Sequence, residues 1–161
     1  MRAASQVLLI VTACAAGAQG QVRPNFSGTW VVVPSRSIWY DNGSPINITV
    51  FGERFTAEQS ERVLSIAIEN ERGFTWTCRL DGAVSYNAPP GPNGTQETST
   101  IIGWTDSTLM IETSGSITRD GRVEQVATRR SLRFNEDGTL RVEAPWGRGG
   151  AMIGSVYAKQ Q

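Results

Sequence analysis

The chain has 161 residues with 15 Lys plus Arg against 15 Asp plus Glu, a balance that gives no net field to attract nucleic acid or an anionic membrane. It contains no histidine, which removes the usual metal ligand, the commonest general base and every Ser-His-Asp or Cys-His arrangement. Once an N-terminal signal is removed, roughly 140 residues remain, a single-domain length that needs no disulfide or metal staple.

Arg2 precedes the apolar run Val7-Leu8-Leu9-Ile10-Val11, and small residues follow through Gly20. Residues 1–20 read as a secretory signal peptide, too short to anchor in a bilayer, and 21–161 as a single domain. Two cleavage readings stand. Ala16-Gly17-Ala18 fits the small-x-small rule and yields a soluble periplasmic or extracellular chain. Val11-Thr12-Ala13-Cys14 resembles a bacterial lipobox, which would lipidate Cys14 and tether the domain to a membrane face. On the soluble reading Cys78 is the only cysteine left, so no internal disulfide forms. Its alternation with Phe74, Trp76 and Leu80 makes it a buried thiol rather than a nucleophile.

The first strand is read over 27–33, ended by Pro34, which cannot donate to a ladder. A loop with Asn42-Gly43 is expected over 35–45. Ile46, Ile48 and Val50 alternate with Asn47 and Thr49 and predict a second strand, extending as far as Ala57. A short helix over 56–63 is the competing reading there, because Thr56 and Gln59 can form a capping box. Further strands follow at 64–68 and 74–80, the latter entering the hairpin dipeptide Asp81-Gly82. After the Pro/Gly-rich loop 87–94 come strands at 96–104, 108–113, 123–134 and 140–144. The Gly-rich loop 145–150 leads to a closing strand at 152–159.

Five Asx-Gly dipeptides, at Asn42, Asp81, Asn93, Asp120 and Asp137, punctuate these short strands. The spacing predicts an all-β antiparallel up-and-down meander of about 8–9 strands. Closure into a barrel, complete or partly open, would remove the hazard of unpaired edges. No internal repeat or domain linker interrupts this rhythm.

Phe26-x-Gly28-x-Trp30 at the head of such a chain resembles the opening motif of lipocalins and related calycins. That resemblance implies a tryptophan closing one barrel end and packing against an arginine from a late strand. The Thr-Asp-Tyr motif and C-terminal helix of lipocalins are absent. A wider set of motifs also recurs in order. These are Ser27-Gly28-Thr29-Trp30, Leu80-Asp81-Gly82, Trp104 with Leu109, Ile111 and Thr113, Asp137-Gly138-Thr139-Leu140 with Val142-Glu143, and Val156-Tyr157-x-Lys159. Together they resemble small exported bacterial proteins of lipocalin-like outline and unknown role. The resemblance implies export and a barrel, and no activity.

Trp30, Trp76 and Trp104 fall on predicted strands, while Trp39 and Trp146 fall in or beside loops. Strand tryptophans are ordinarily core packing. The functional alternative is that they line a cavity for one apolar or aromatic ligand. Arg130 alternates with Val126, Leu132 and Phe134 and is expected to face inward. A buried guanidinium needs a carboxylate or an aromatic face, and Trp30 or another strand tryptophan is the expected cover. The sharper alternative is an anion-binding contact. Asp81, Asp106, Asp120 and Asp137 sit at turns and do not pair as a glycosidase dyad. Gly147-Arg148-Gly149-Gly150 lacks the strand-to-helix setting of a phosphate loop. The sequons at Asn25, Asn42, Asn47 and Asn93 would be glycan sites in a eukaryotic secreted chain and are inert on the bacterial reading, which is the one preferred. No cofactor motif or metal-ligand cluster is present.

Two functions compatible with these residues are carried forward, neither enzymatic. The first is an exported lipocalin-like carrier of a small apolar ligand, with Trp30, Trp76, Trp104 and Arg130 as ligand contacts. The second is a cell-envelope interaction or structural module with a filled core, acting through loops 87–94 and 145–150. The volume left empty inside the barrel separates them.

Overall fold

The computed structural model describes residues 23–41, 43–69, 74–88, 90–91, 94–95, 98–119, 122–146 and 151–161. The signal segment, Cys14, Asn42, Asn93, the turn Asp120-Gly121 and the run 147–150 therefore lie outside the described residues. The strands are β1 (Gly28–Val32), β2 (Ile38–Asp41), β3 (Ser44–Asn47), β4 (Arg54–Gln59), β5 (Val63–Ile68), β6 (Thr75–Arg79) and β7 (Ser85–Asn87). They continue as β8 (Pro90–Gly91), β9 (Gly94–Thr95), β10 (Thr98–Thr105), β11 (Thr108–Arg119), β12 (Arg122–Phe134), β13 (Leu140–Trp146) and β14 (Ala151–Lys159).

One antiparallel sheet of ten strands runs β6-β5-β4-β1-β14-β13-β12-β11-β10-β7 and curls into a nearly closed barrel. The hairpins β2–β3 and β8–β9 stand outside it as separate ribbons. The last strand meets the first, with Val32 opposite Tyr157 and Trp30 opposite Lys159. Within the described residues the ladder is interrupted elsewhere, between the chain neighbours β6 and β7. That is the barrel's one unsealed seam.

Period-two alternation explains the core. Phe55 and Ala57 on β4, Leu64, Ile66 and Ile68 on β5, Leu132 on β12, and Leu140 and Val142 on β13 all face inward and are buried. Each of the larger side chains among them, Ala57 aside, contributes about 1.5–3 kcal/mol when taken from water.

The expectation for 35–57 fails in an instructive way. Residues 35–45, read as loop, hold a 3-10 turn (Pro34–Arg36) and most of the β2–β3 hairpin. The strand expected to run on from Ile46 stops at Asn47, and 48–53 is irregular. The helix over 56–63 does not form, because Thr56 pairs with Thr29 on one side and Ala67 on the other. Side chains of β14 replace a ladder for 48–52. Ser155 Oγ donates to Ile48 O and accepts from Val50 N, both at 2.9 Å. Tyr157 Oη accepts from Phe51 N (2.9 Å) and donates to Gly52 O (3.1 Å). Gly52, at φ +71, turns the chain so that Phe51 drops into the barrel.

The two ends of the barrel differ. The turns 60–62, 106–107 and 135–139 and the lead-in 23–27 gather at one end. The strands β1, β5, β7 and β13 end at the other, where β4, β6, β10 and β14 begin. Turn chemistry at the tight end is as the dipeptides imply. Asp106 has φ +51, and Gly82 and Gly138 have φ of +82 and +78. Asp137 accepts hydrogen bonds from the Thr139 hydroxyl and backbone N–H, and from Arg36 Nη1 at 2.6 Å. These contacts, the Thr139 hydroxyl foremost, lower its pKa from 3.8 to about 2. A folded value below the unfolded one stabilises the turn above the ordinary carboxylate range, and the contribution fades as pH falls through about 2. Carboxyl carbon NMR titration is expected to place the Asp137 midpoint well below the ordinary aspartate value of 3.8. Thr139→Val should move it back upward.

Candidate functional site

The opening motif has a physical basis at the tight end. Phe26 is fully buried and stacks on Phe134 (5.3 Å between centroids) and on Trp104 (6.2 Å). Trp30 is also buried, donates from Nε1 to Phe26 O (2.9 Å) and tilts against Phe134. Lys159 Nζ lies 5.8 Å over the Trp30 ring. Gly28, at φ +142, makes this possible, since a Cβ there would run into Lys159 Cε. The cation over Trp30 is thus a lysine from the final strand, and Arg130 is not its partner.

Arg130 faces inward, half-buried, with Cζ 5.9 Å from the Phe51 centroid and Nη1 3.3 Å from Thr128 Oγ1. Trp76 lines the same small void as the guanidinium, and Phe51, from the irregular 48–53 segment, supplies an aromatic face. Sequence reasoning missed Phe51 because it lay within a presumed strand. The adjacent apolar pair Val50-Phe51 before a glycine was the available signal that alternation breaks there.

The void, of about 40 Å³, lies among Phe51, Trp76, Cys78, Ile111, Thr113 and Arg130. That is far smaller than the pocket of about 300–1,000 Å³ that encloses a drug-sized ligand. A ten-stranded barrel is wide enough to leave a cavity. Here Val50 and Phe51 occupy it. Trp76 and Arg130 share this void, while Trp30 and Trp104 stand apart from it at the tight end. Trp76 also meets Phe74 edge to face at 5.3 Å. Arg23 Cζ covers the Trp104 ring at 5.4 Å. The four residues singled out from the sequence therefore do not converge on one cavity.

Cys78 is buried, and its thiol pKa is pushed up from 9.0 to about 11 by burial, opposed by the nearby Arg130 charge. A thiol held protonated in this way is a poor nucleophile.

A second, open pocket of about 580 Å³ is lined by the buried Thr100 and Thr113 together with Thr128, Arg129, Pro145 and Met152 among others. Here β12 parts from β13, whose pairing covers only Ser131–Phe134 with Leu140–Glu143. Residues 122–130 of β12 keep β11 on one side and pair with no described strand on the other. Gln125, Ala127 and Arg129 there are exposed, as is Val123 at 68%. The expected loop 87–94 holds the end of β7 and parts of β8 and β9, and 145–150 begins with the end of β13.

No protein-family model, curated protein or solved structure matches this chain.

Proposed function

We propose that this chain is an exported, non-enzymatic interaction module whose filled barrel presents its open end to a partner protein. The void of about 40 Å³ carries this reading. A drug-sized ligand needs a pocket of about 300–1,000 Å³, far more than this void beside Phe51 and Arg130. Two further features favour the open end. The strands β7 and β13, which precede the two glycine- and proline-rich stretches in the sequence, both end there. The uncovered edge of β12 also offers backbone donors and acceptors suited to an added strand. Export belongs to the same proposal and rests on residues 1–20, with release after Ala18 or lipidation of Cys14 as its two forms.

Native mass spectrometry of the protein from its own host, with a photo-cross-linker at Val123 or Glu136, tests this. The expected result is the bare chain or a protein complex, with cross-linking from Val123 on the β12 arm. Glu136, at the tight end, should give none. A stoichiometric small-molecule adduct, or equal cross-linking from both positions, overturns the proposal.

A further inference from the structure

The seam between β6 and β7 is held differently from every other junction in the sheet. Elsewhere backbone ladders join neighbours, as from Thr98↔Gly115 to Thr105↔Thr108. At the seam, side chains from β7 bond to the backbone of β6. Asn87 Oδ1 accepts from Thr77 N (2.8 Å), and Asn87 Nδ2 donates to Thr77 O (3.0 Å). The carboxamide thus reproduces the pair of bonds that one ladder residue exchanges with its opposite number. Two residues along, Ser85 Oγ accepts from Arg79 N (2.8 Å). Asn87 Nδ2 also lies 3.3 Å from Thr100 Oγ1, itself 3.4 Å from Thr113 Oγ1, so a buried polar chain runs inward from the seam.

Toward the tight end the lead-in closes the same gap. Arg23 Nη1 donates to Leu80 O (2.9 Å) at the end of β6 and covers Trp104 of β10. The turn 80–84, bent at Gly82, ties the two strands together at that end. Directly behind the seam lie Cys78, 1% exposed, and the small void beside Arg130.

Local opening follows the segments with the fewest cooperative bonds. We propose that the β6–β7 seam is a lateral gate, splaying about the turn 80–84 while the other ladders stay intact, and that it gives solvent access to Cys78 and the void. The Asn87 carboxamide is its catch. The three side-chain bonds seen among the described residues can be exchanged for water one at a time, whereas a ladder such as β11–β12 yields only as a unit.

The test is alkylation of Cys78 by iodoacetamide in the folded full chain at pH 8, located by peptide mass, over a series of low urea concentrations. Native-state amide exchange at Thr77, Arg79, Leu132 and Val142 accompanies it. A gate gives Cys78 labelling and Thr77/Arg79 exchange that are nearly independent of urea and far faster than exchange at Leu132 and Val142. Asn87→Ala should speed both at least tenfold and leave the Leu132 and Val142 amides as in the unaltered chain, whereas a core Leu132→Ala control should speed the Val142 amide as well. Ser85→Ala should give a smaller shift in the same direction. If Cys78 labelling and β6 exchange rise with urea as steeply as the core amides, the gate is refuted. The exchange data on the unaltered chain decide this even where the Asn87 variant does not fold.

Discussion

Trp30→Ala is expected to destabilise the protein by about 3–5 kcal/mol, the range for emptying a fully buried aromatic site. The site has little room to relax. Phe26 and Phe134 are stacked on one another and both lean on the indole, through a hydrogen bond in one case and a tilted ring contact in the other. Phe55 lies opposite Trp30 in the β1–β4 register and is itself buried against Tyr157. Removing the indole also leaves Phe26 O without its buried donor, a loss comparable to a further hydrogen bond. Against a total stability of about 5–15 kcal/mol, the change takes a large share of the fold. Urea unfolding followed by far-ultraviolet circular dichroism measures it. Lys159→Met separates packing from charge: it keeps the stem over the ring and should lose no more than about 1 kcal/mol. An equal loss in both variants would mean that the cation, rather than the filled volume, holds this end.

Phe51→Ala is expected to destabilise by about 3 kcal/mol, the low end of the same range, because a loop collapses more readily than a strand. Its second effect matters more for function. The ring fills the interior between Phe55 and Arg130, at centroid distances of 5.2 Å and 5.9 Å. Without it, the void of about 40 Å³ joins the space vacated. An enlarged apolar cavity of this kind takes up xenon or benzene. The variant should therefore gain saturable binding of benzene, seen as changed methyl NMR shifts at Ile66 and Ile111, while the unaltered chain shows none. Binding by the unaltered chain would revive the small-ligand carrier reading. Phe51→Leu, which keeps most of the volume, should lose about half as much stability and gain little binding.

The loop that delivers Phe51 shows where sequence reasoning ended. Ile46, Ile48 and Val50 carry a period-two pattern, yet the ladder stops at Asn47. The pattern reports only that these side chains avoid water. It does not reveal that Ser155 and Tyr157, more than a hundred residues away, would bind the backbone in place of a neighbouring strand. Cys78 went the other way. Local alternation was enough to bury it, and its burial is what raises its pKa. Arg130 was half legible: parity along β12 turned it inward, but its aromatic neighbour came from a loop and not from Trp30. Ser85 and Asn87 carried no signal, since a serine and an asparagine beside a Pro/Gly-rich stretch look like turn residues.

By itself the sequence determined an antiparallel all-β chain of hairpins, because alternation and Asx-Gly turns are encoded within a few residues of one another. The same local rules favoured a barrel in which the last strand meets the first. Only the tertiary structure decided that the seam falls between β6 and β7, that Phe51 fills the interior, and that Lys159 covers Trp30. Each of these depends on where distant side chains meet once the sheet has curled. Shear and closure set those meetings, and no window of neighbouring residues contains them.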